Sequence, residues 1–435
     1  MRKLLIVSPN FPPADAADAH RVRMNAGSYR DAGWEPTVLC VHQADTGRAV
    51  DQRLLETLPE GLQVESVPAD GAWSWPLRIS AIGLRAYRSL GAAGDELLSS
   101  GRFDLVFIST TAFPLMALGR RWLRSFGVPF VLDMQDPWYT SPPESIPLQR
   151  AGVRHAAMRR VHRFLERGTM PEAGGIISVS PRYVEALRQR YPQLRERPSE
   201  VVPFGFSRND LAVARAVGRP WPALVEERGR GRMVAFSAGR VNDSMASPLE
   251  TLLKVLQQRT VGGTAMFGRL SLMFLGTEYG DSPSVGRIAT LAARMGLADR
   301  VIEQAGRLPL LDAFRSLYDA DVLIVLGSRD LAYQPSRFYQ CVSIGKPVIV
   351  VAPREGVLAR ECGKFPNVAF LPSEPSPAEL ESFERALGAT MASAASSPEE
   401  VERAVAPYES AQLGATEAAL FDRVVREHAS RGRGA

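Results

Sequence analysis

Short apolar runs alternate with helix-length segments along this chain, and the alternation occurs twice. In the first series the runs are Lys3–Ser8, Glu35–Val41, Asp104–Ser109, Pro129–Met134, Gly175–Val179 and Glu200–Pro203, with helices predicted over Arg21–Ala32 and Tyr183–Gln189. A stretch rich in Gly, Arg and Pro, Val217–Gly231, reads as a connector. The second series runs Met233–Ala238, Leu270–Leu275, Arg300–Gln304, Asp321–Leu326, Val348–Val351 and Val368–Leu371. Its helices are predicted over Ser247–Gln258, Val285–Met295, Leu311–Leu317 and much of Pro398–Ala429. Strands this apolar, separated by helices, pair in parallel and are covered on both faces. The expected fold class is α/β, with two doubly wound parallel sheets in series. A length of 435 residues suits two domains that each bury a core. In such sheets ligands bind outside the carboxyl ends of the strands. Two of them facing one another would enclose an interdomain cleft.

No Gly-x-Gly-x-x-Gly follows any of these runs and no Walker sequence is present, which argues against a standard dinucleotide site and a P-loop. A net charge of +5 is too mild for this length to indicate nucleic acid. The start, Met1–Ser8, has two basic residues and a short apolar run, a first strand rather than a signal peptide. No apolar run approaches the length of a membrane span, so any membrane contact is expected to be peripheral. Cys40, Cys341 and Cys362 lie far apart without metal or disulfide spacing. They read as small core residues of a protein in a reducing, cytoplasmic compartment.

The stretch Pro335–Pro353 reads as a loop, a short helix, a tight turn and a buried strand. Pro335 suits a first helical position, which would leave the amides of Ser336, Arg337 and Phe338 free to meet an anion. Gly345 ends the helix before the β-branched run Val348–Val351. The segment Pro335, Ser336, Arg337, Phe338, Tyr339, Gln340, then Gly345, Lys346, Pro347, Val348, resembles the donor-sugar helix of GT-B glycosyltransferases of the retaining, family-4-like type. That resemblance implies two facing Rossmann-like domains. Residues 1–204 would bind the acceptor, with helices 409–435 packing back on them, and residues 205–408 would bind a nucleotide-sugar donor. It also implies transfer from a UDP or GDP sugar to a glycan, lipid-linked or small-molecule acceptor, with retention, without a metal and without a cofactor.

Other segments extend the resemblance through the second half. Val202–Phe206 resembles the family's hinge, and Phe236–Arg240 the strand whose glycine and basic residue, here Gly239 and Arg240, meet the donor diphosphate. The family often carries a second basic residue soon afterwards, whereas Asn242, Asp243 and Ser244 supply none, so Arg337 is the expected substitute. Arg300–Pro309 resembles the base-binding strand, with backbone groups at Arg307 and Leu308 toward the nucleobase. Gln340 stands where the family has a ribose-binding glutamate, and Ala332 where it has another carboxylate. An amide accepts fewer bonds from a diol than a carboxylate, so Asp330 is a candidate sugar contact. These two losses leave open a non-catalytic GT-B relative that binds only a nucleotide or a partner. An epimerase acting on the sugar nucleotide is disfavoured, because the second half has no histidine before His428.

In the first half, Ser8–Pro13 resembles the family's first loop but lacks its glycines. His20 follows it just past a strand end and is a candidate proton relay to the acceptor hydroxyl, or simply a helix-start histidine. Leu132–Trp138 resembles an Asp-x-Arg-Asp-x-Trp segment, with Gln135 at the Arg position and Asp136 expected to orient the acceptor. Two basic stretches, 73–88 and 148–167, mix arginines with aromatic and aliphatic residues. They suit contact with an anionic membrane surface, or a solvated basic face over an ordinary core stripe.

Overall fold

The computed structural model describes residues 1–70, 82–138, 148–262, 265–278, 286–393 and 398–432. The chain divides into two compact units, Met1–Phe204 with Ser410–Ala435, and Gly205–Glu409.

The first unit is built on seven strands: β1 Arg2–Val7, β2 Trp34–Val41, β3 Gln63–Val67, β4 Leu105–Ser109, β5 Phe130–Met134, β6 Gly175–Ser178 and β7 Ser199–Val201. All pair in parallel in the order β3-β2-β1-β4-β5-β6-β7, so the winding reverses between β1 and β4. Both faces are buried, which is why β1, β4 and β5 read as unbroken apolar runs. Leu5, Val7, Val106 and Leu132 pack with Trp122 on one side. Leu4, Ile6, Phe107 and Val131 pack with Tyr29, Trp34 and Phe421 on the other. Phe421 belongs to the final helix, Ser410–Gly432, and its ring lies 5.1 Å from Phe107 and 5.6 Å from Tyr29. The end of the chain thus completes the core of the first unit, and truncating a buried aromatic of this kind costs about 3–5 kcal/mol.

The second unit has six parallel strands: β8 Met233–Ala238, β9 Leu270–Leu275, β10 Val301–Gln304, β11 Val322–Leu326, β12 Val348–Ala352 and β13 Val368–Pro372. Their order is β10-β9-β8-β11-β12-β13, and the winding reverses between β8 and β11. Leu272, Phe274, Ile324 and Val351 are fully enclosed between the covering helices.

Some expectations need correction. The connector expected over Val217–Gly231 contains a helix, Pro222–Gly229, with proline at its start and Leu224 buried against the sheet. Strand β3 escaped the apolar-run reading because it is the polar edge strand Gln-Val-Glu-Ser-Val, mostly open to solvent. The helices Tyr87–Ser99 and Ala117–Phe126 also went unassigned. Residues 73–81 of the first basic stretch, and the side chains of 148–157 in the second, lie outside the described residues.

Candidate donor and acceptor sites

At the winding reversal of the second unit, two strands end on glycine. Gly239 follows β8 at φ +119° and Gly276 follows β9 at φ +68°, conformations that side-chain-bearing residues rarely adopt. The two are neighbours: a Cβ on Gly276 would stand 3.8 Å from the Gly239 Cα. Their amides bond back to the sheet, Gly239 to the Leu275 carbonyl at 2.6 Å and Gly276 to that of Gln304 at 2.8 Å. The result is a floor of bare backbone.

Arginines stand around this floor. The Arg337 guanidinium rests directly on Gly239, where a Cβ would overlap it. Arg307 crosses Gly276, with its Cγ 3.3 Å from where a Cβ would be. Arg240 continues from Gly239 and lines a small cavity with Ser237, Val325, Leu326, Tyr333 and Arg337. Arg337 makes no ion pair among the described residues. Protein surrounds it closely although part of its surface is open, and this desolvation pulls its pKa down, with the Arg307 charge acting in the same direction. A guanidinium stays protonated nonetheless, so Arg337 brings a positive charge to this position.

Arg337 is positioned by the short helix that follows it. That helix spans Phe338–Ser343, not Pro335 onward as expected. The Phe338 amide bonds to the Pro335 carbonyl at 3.1 Å, and its ring is fully buried, 5.5 Å from Phe365. Phe338 therefore anchors the helix and offers no free amide to a ligand. Tyr339 stacks on Tyr408 at 4.0 Å, and its hydroxyl donates to Glu361 at 3.1 Å. Ser336 is exposed, and no hydrogen bond among the described residues engages the amides of Ser336 and Arg337. Gln340 is buried, and its side-chain amide has no partner among the described residues. Leu308 lies half-buried beside Arg307. Asp330 is exposed, and one carboxylate oxygen accepts from the Ala332 amide at 2.9 Å, so it shapes its own loop as well as facing solvent.

The first unit also gathers polar groups at its winding reversal, and here local sequence was least informative. His20 opens the helix His20–Asp31, but the residue the structure singles out is its neighbour Arg21. Arg21 is almost wholly buried. It donates to Asp133 at 2.8 Å, to Glu417 at 2.8 Å and to the Val202 carbonyl at 2.7 Å, with its guanidinium 5.0 Å from the Phe204 ring. Burial raises the Glu417 pKa against the pull of Arg21. Asp133 also accepts from Ser109 at 2.7 Å and from Gln135 at 2.9 Å. Gln135, at the position of the family's arginine, thus bonds the same carboxylate that Arg21 neutralises. The other oxygen of Asp133, Oδ1, is buried without a partner among the described residues. An arginine in a first helical turn is ordinarily a surface residue, so no local signal marked Arg21.

Asp136 follows on the loop after β5. Its surface is open, yet protein crowds the position enough that desolvation pushes its carboxyl up to about 6. A carboxyl poised there can exchange a proton near neutral pH.

Residues 19–205 match the glycosyl transferase 4-like domain. No curated protein matches the sequence. Among solved structures, the whole chain superposes on sucrose-phosphate synthase from Thermosynechococcus elongatus at a TM-score of 0.63 and 16% identity, covering 98% of this chain and 100% of that one. The fold is GT-B. A UDP-forming α,α-trehalose-phosphate synthase from Burkholderia xenovorans superposes at a TM-score of 0.63 and 12% identity, over 98% and 99% of the two chains. An E. coli structure described as trehalose-6-phosphate bound with UDP-2-fluoro glucose gives 0.61 and 12%, over 96% and 99%. The α/β expectation and the GT-B resemblance therefore hold. The match to the glycosyl transferase 4-like domain falls almost wholly within the first unit, and the bare glycine floor lies in the second unit of this GT-B chain.

Proposed function

We propose that this chain is a glycosyltransferase that moves a sugar from a nucleoside-diphosphate donor, bound by the second unit, to a glycan, lipid-linked or small-molecule acceptor, bound by the first. The observation that carries this reading is the Arg337 guanidinium on Gly239, with Arg240 lining the same small cavity and the Arg307 stem beside Gly276. A diphosphate leaving group develops charge as the glycosidic bond breaks. Guanidiniums fixed around bare backbone can take that charge as it forms, without metal chemistry. The reading is also supported by the UDP sugar analogue in the E. coli structure of the same fold. Retention follows from the family resemblance. In this proposal Asp136 orients the acceptor hydroxyl and His20 relays its proton.

Contact with an anionic membrane surface belongs to the same proposal. It is supported by Phe164, 77% exposed, and Val161, 39% exposed, on an arginine-rich helix. No helix among the described residues is long and apolar enough to cross a membrane.

A second reading, a GT-B relative that binds nucleotide without turnover, is favoured by Gln340 and Ala332 at the two carboxylate positions. Thermal-shift measurements with UDP, GDP and their sugars, paired with an assay for donor hydrolysis, separate the readings. A sugar nucleotide should raise the melting temperature and be slowly hydrolysed. Stabilisation without hydrolysis or transfer would select the second reading, and no response to any nucleotide would overturn both.

A further inference from the structure

Ligands of parallel α/β sheets bind at the carboxyl ends of the strands, yet the second unit also has a large cavity at the amino ends. The residues immediately before the adjacent strands β9, β8 and β11 are Arg269, Arg232 and Asp321, and all three line it. Arg228, from the helix Pro222–Gly229, lines the same space, as do Met233, Met266 and Met391. The cavity holds about 770 Å³. Small-molecule sites span about 300–1,000 Å³. The six residues of β8 separate it from Gly239, roughly 20 Å at the rise of a strand.

Its charge is unbalanced. Among the described residues that line it, Asp321 is the one carboxylate, and both of its oxygens are engaged. Oδ1 pairs with Arg228 at 3.2 Å, and Oδ2 accepts from the Val234 amide at 2.9 Å. Arg232 reaches Asp299 at 3.6 Å, on an oxygen that Arg300 shares at 3.4 Å. Arg269 makes no ion pair among the described residues. Its Nε and Nη2 both donate to the Gly231 carbonyl, at 3.2 and 3.1 Å, which fixes the guanidinium without neutralising it.

The rest of the lining is apolar and adaptable. Met233, Met266 and Met391 are partly buried against the core of the unit, and unbranched thioethers mould to bodies of varied shape. Gly388 also lines the cavity, from within the helix Pro377–Ser393, where glycine is a poor helix former. A Cβ on Gly388 would meet nothing within 4 Å. Packing within the chain does not require glycine there, and its presence leaves helix backbone open to the cavity.

We propose that this cavity is a second binding site, for a small organic phosphate. The phosphate sits among Arg228, Arg232 and Arg269, and its apolar or aromatic body lies along the methionines and Gly388. A phosphate dianion has enough oxygens to meet guanidiniums from separate segments, each with its own planar fork. The site lies at the other ends of the strands from the proposed donor site and does not depend on that reading.

The test is calorimetric titration of the full chain with 1-naphthyl phosphate, and separately with inorganic phosphate and 1-naphthol. The naphthyl ester should bind with a Kd below about 1 mM, and each half alone at least about tenfold more weakly. Arg269→Gln should weaken the ester about tenfold or more, as expected for loss of a charge-assisted bond. Gly388→Leu, which places a side chain in the open space, should weaken it comparably. Arg337→Gln, at the far ends of the strands, should leave it unchanged. Thermal unfolding without ligand establishes that each variant is folded. No binding of the ester by the wild-type chain would overturn the proposal, as would binding that both Arg269→Gln and Gly388→Leu leave intact. A loss in Arg337→Gln alone would place the ester in the donor site and overturn it equally. Inorganic phosphate binding as tightly as the ester would remove the role given to the methionines and Gly388.

Discussion

The guanidinium of Arg337 lies on the α-carbon of Gly239, in the space where any other residue would carry its Cβ. Gly239 also holds φ at +119°, so the position needs glycine on two counts. Arg337 is flexible enough to withdraw from a methyl group, but the backbone is not. Gly239→Ala should therefore cost about 1–3 kcal/mol of stability from strain and displace Arg337. Urea unfolding measures the first effect and nucleotide titration the second. An alanine variant with unchanged stability and diphosphate affinity would show that neither constraint operates.

Removing the Arg21 side chain should damage the fold more than any change at the donor arginines. Arg21 pairs with Asp133 and Glu417 at 2.8 Å each, in surroundings that exclude water. Arg21→Met leaves two buried carboxylates without their cation and should cost about 3–5 kcal/mol by chemical denaturation. A loss below about 1 kcal/mol would mean that the carboxylates find protons or water at little cost.

Asp136 sets a pH dependence whose sign can be worked out. Its carboxyl rises from an ordinary 3.8 to about 6 in the folded chain, so folding favours the protonated form. The stability tied to that proton is complete below the ordinary value and is lost as pH rises through about 6. Asp136→Asn, permanently neutral, should unfold at a higher temperature than wild type at pH 8 and at the same temperature in more acidic solution than the ordinary carboxyl value. The open surface of the residue holds the gain to no more than about 1 kcal/mol. Transfer activity, by contrast, should rise through about pH 6 in wild type, and the asparagine variant should lose it. Thermal unfolding and rate profiles across pH check the two halves separately.

Restoring a carboxylate at Gln340 should strengthen ribose recognition. Gln340 is buried as a residue and its side-chain amide has no hydrogen-bond partner among the described residues, so the position has unused hydrogen-bonding capacity. Gln340→Glu should improve discrimination between a nucleoside diphosphate and its 2′-deoxy analogue by about fivefold, worth roughly 1 kcal/mol for a charge-assisted bond. Paired titrations of the two ligands give the ratio directly, and an unchanged ratio would place the ribose elsewhere.

The strand pattern was legible wherever burial on both faces leaves an uninterrupted apolar run. β8 and β9 occupy the predicted Met233–Ala238 and Leu270–Leu275 residue for residue. The reading failed where that cause is missing. β3 is a polar edge strand, and the helix Pro222–Gly229 hides in a composition that resembles a linker. At the candidate site, what local sequence signalled was position: Gly239 and Arg240 after a strand end and Arg337 in a proline-led turn, since both are local signals.

By itself the sequence determined two doubly wound parallel α/β units, because periodicity and turn chemistry act between near neighbours. Only the tertiary structure decided that Arg337 lies on Gly239, that Arg307 crosses Gly276, and that Arg21 pairs with Glu417 across 396 residues. Those pairings come from strand order and from the need to match charges taken out of water. Both depend on distances in space that sequence separation does not report.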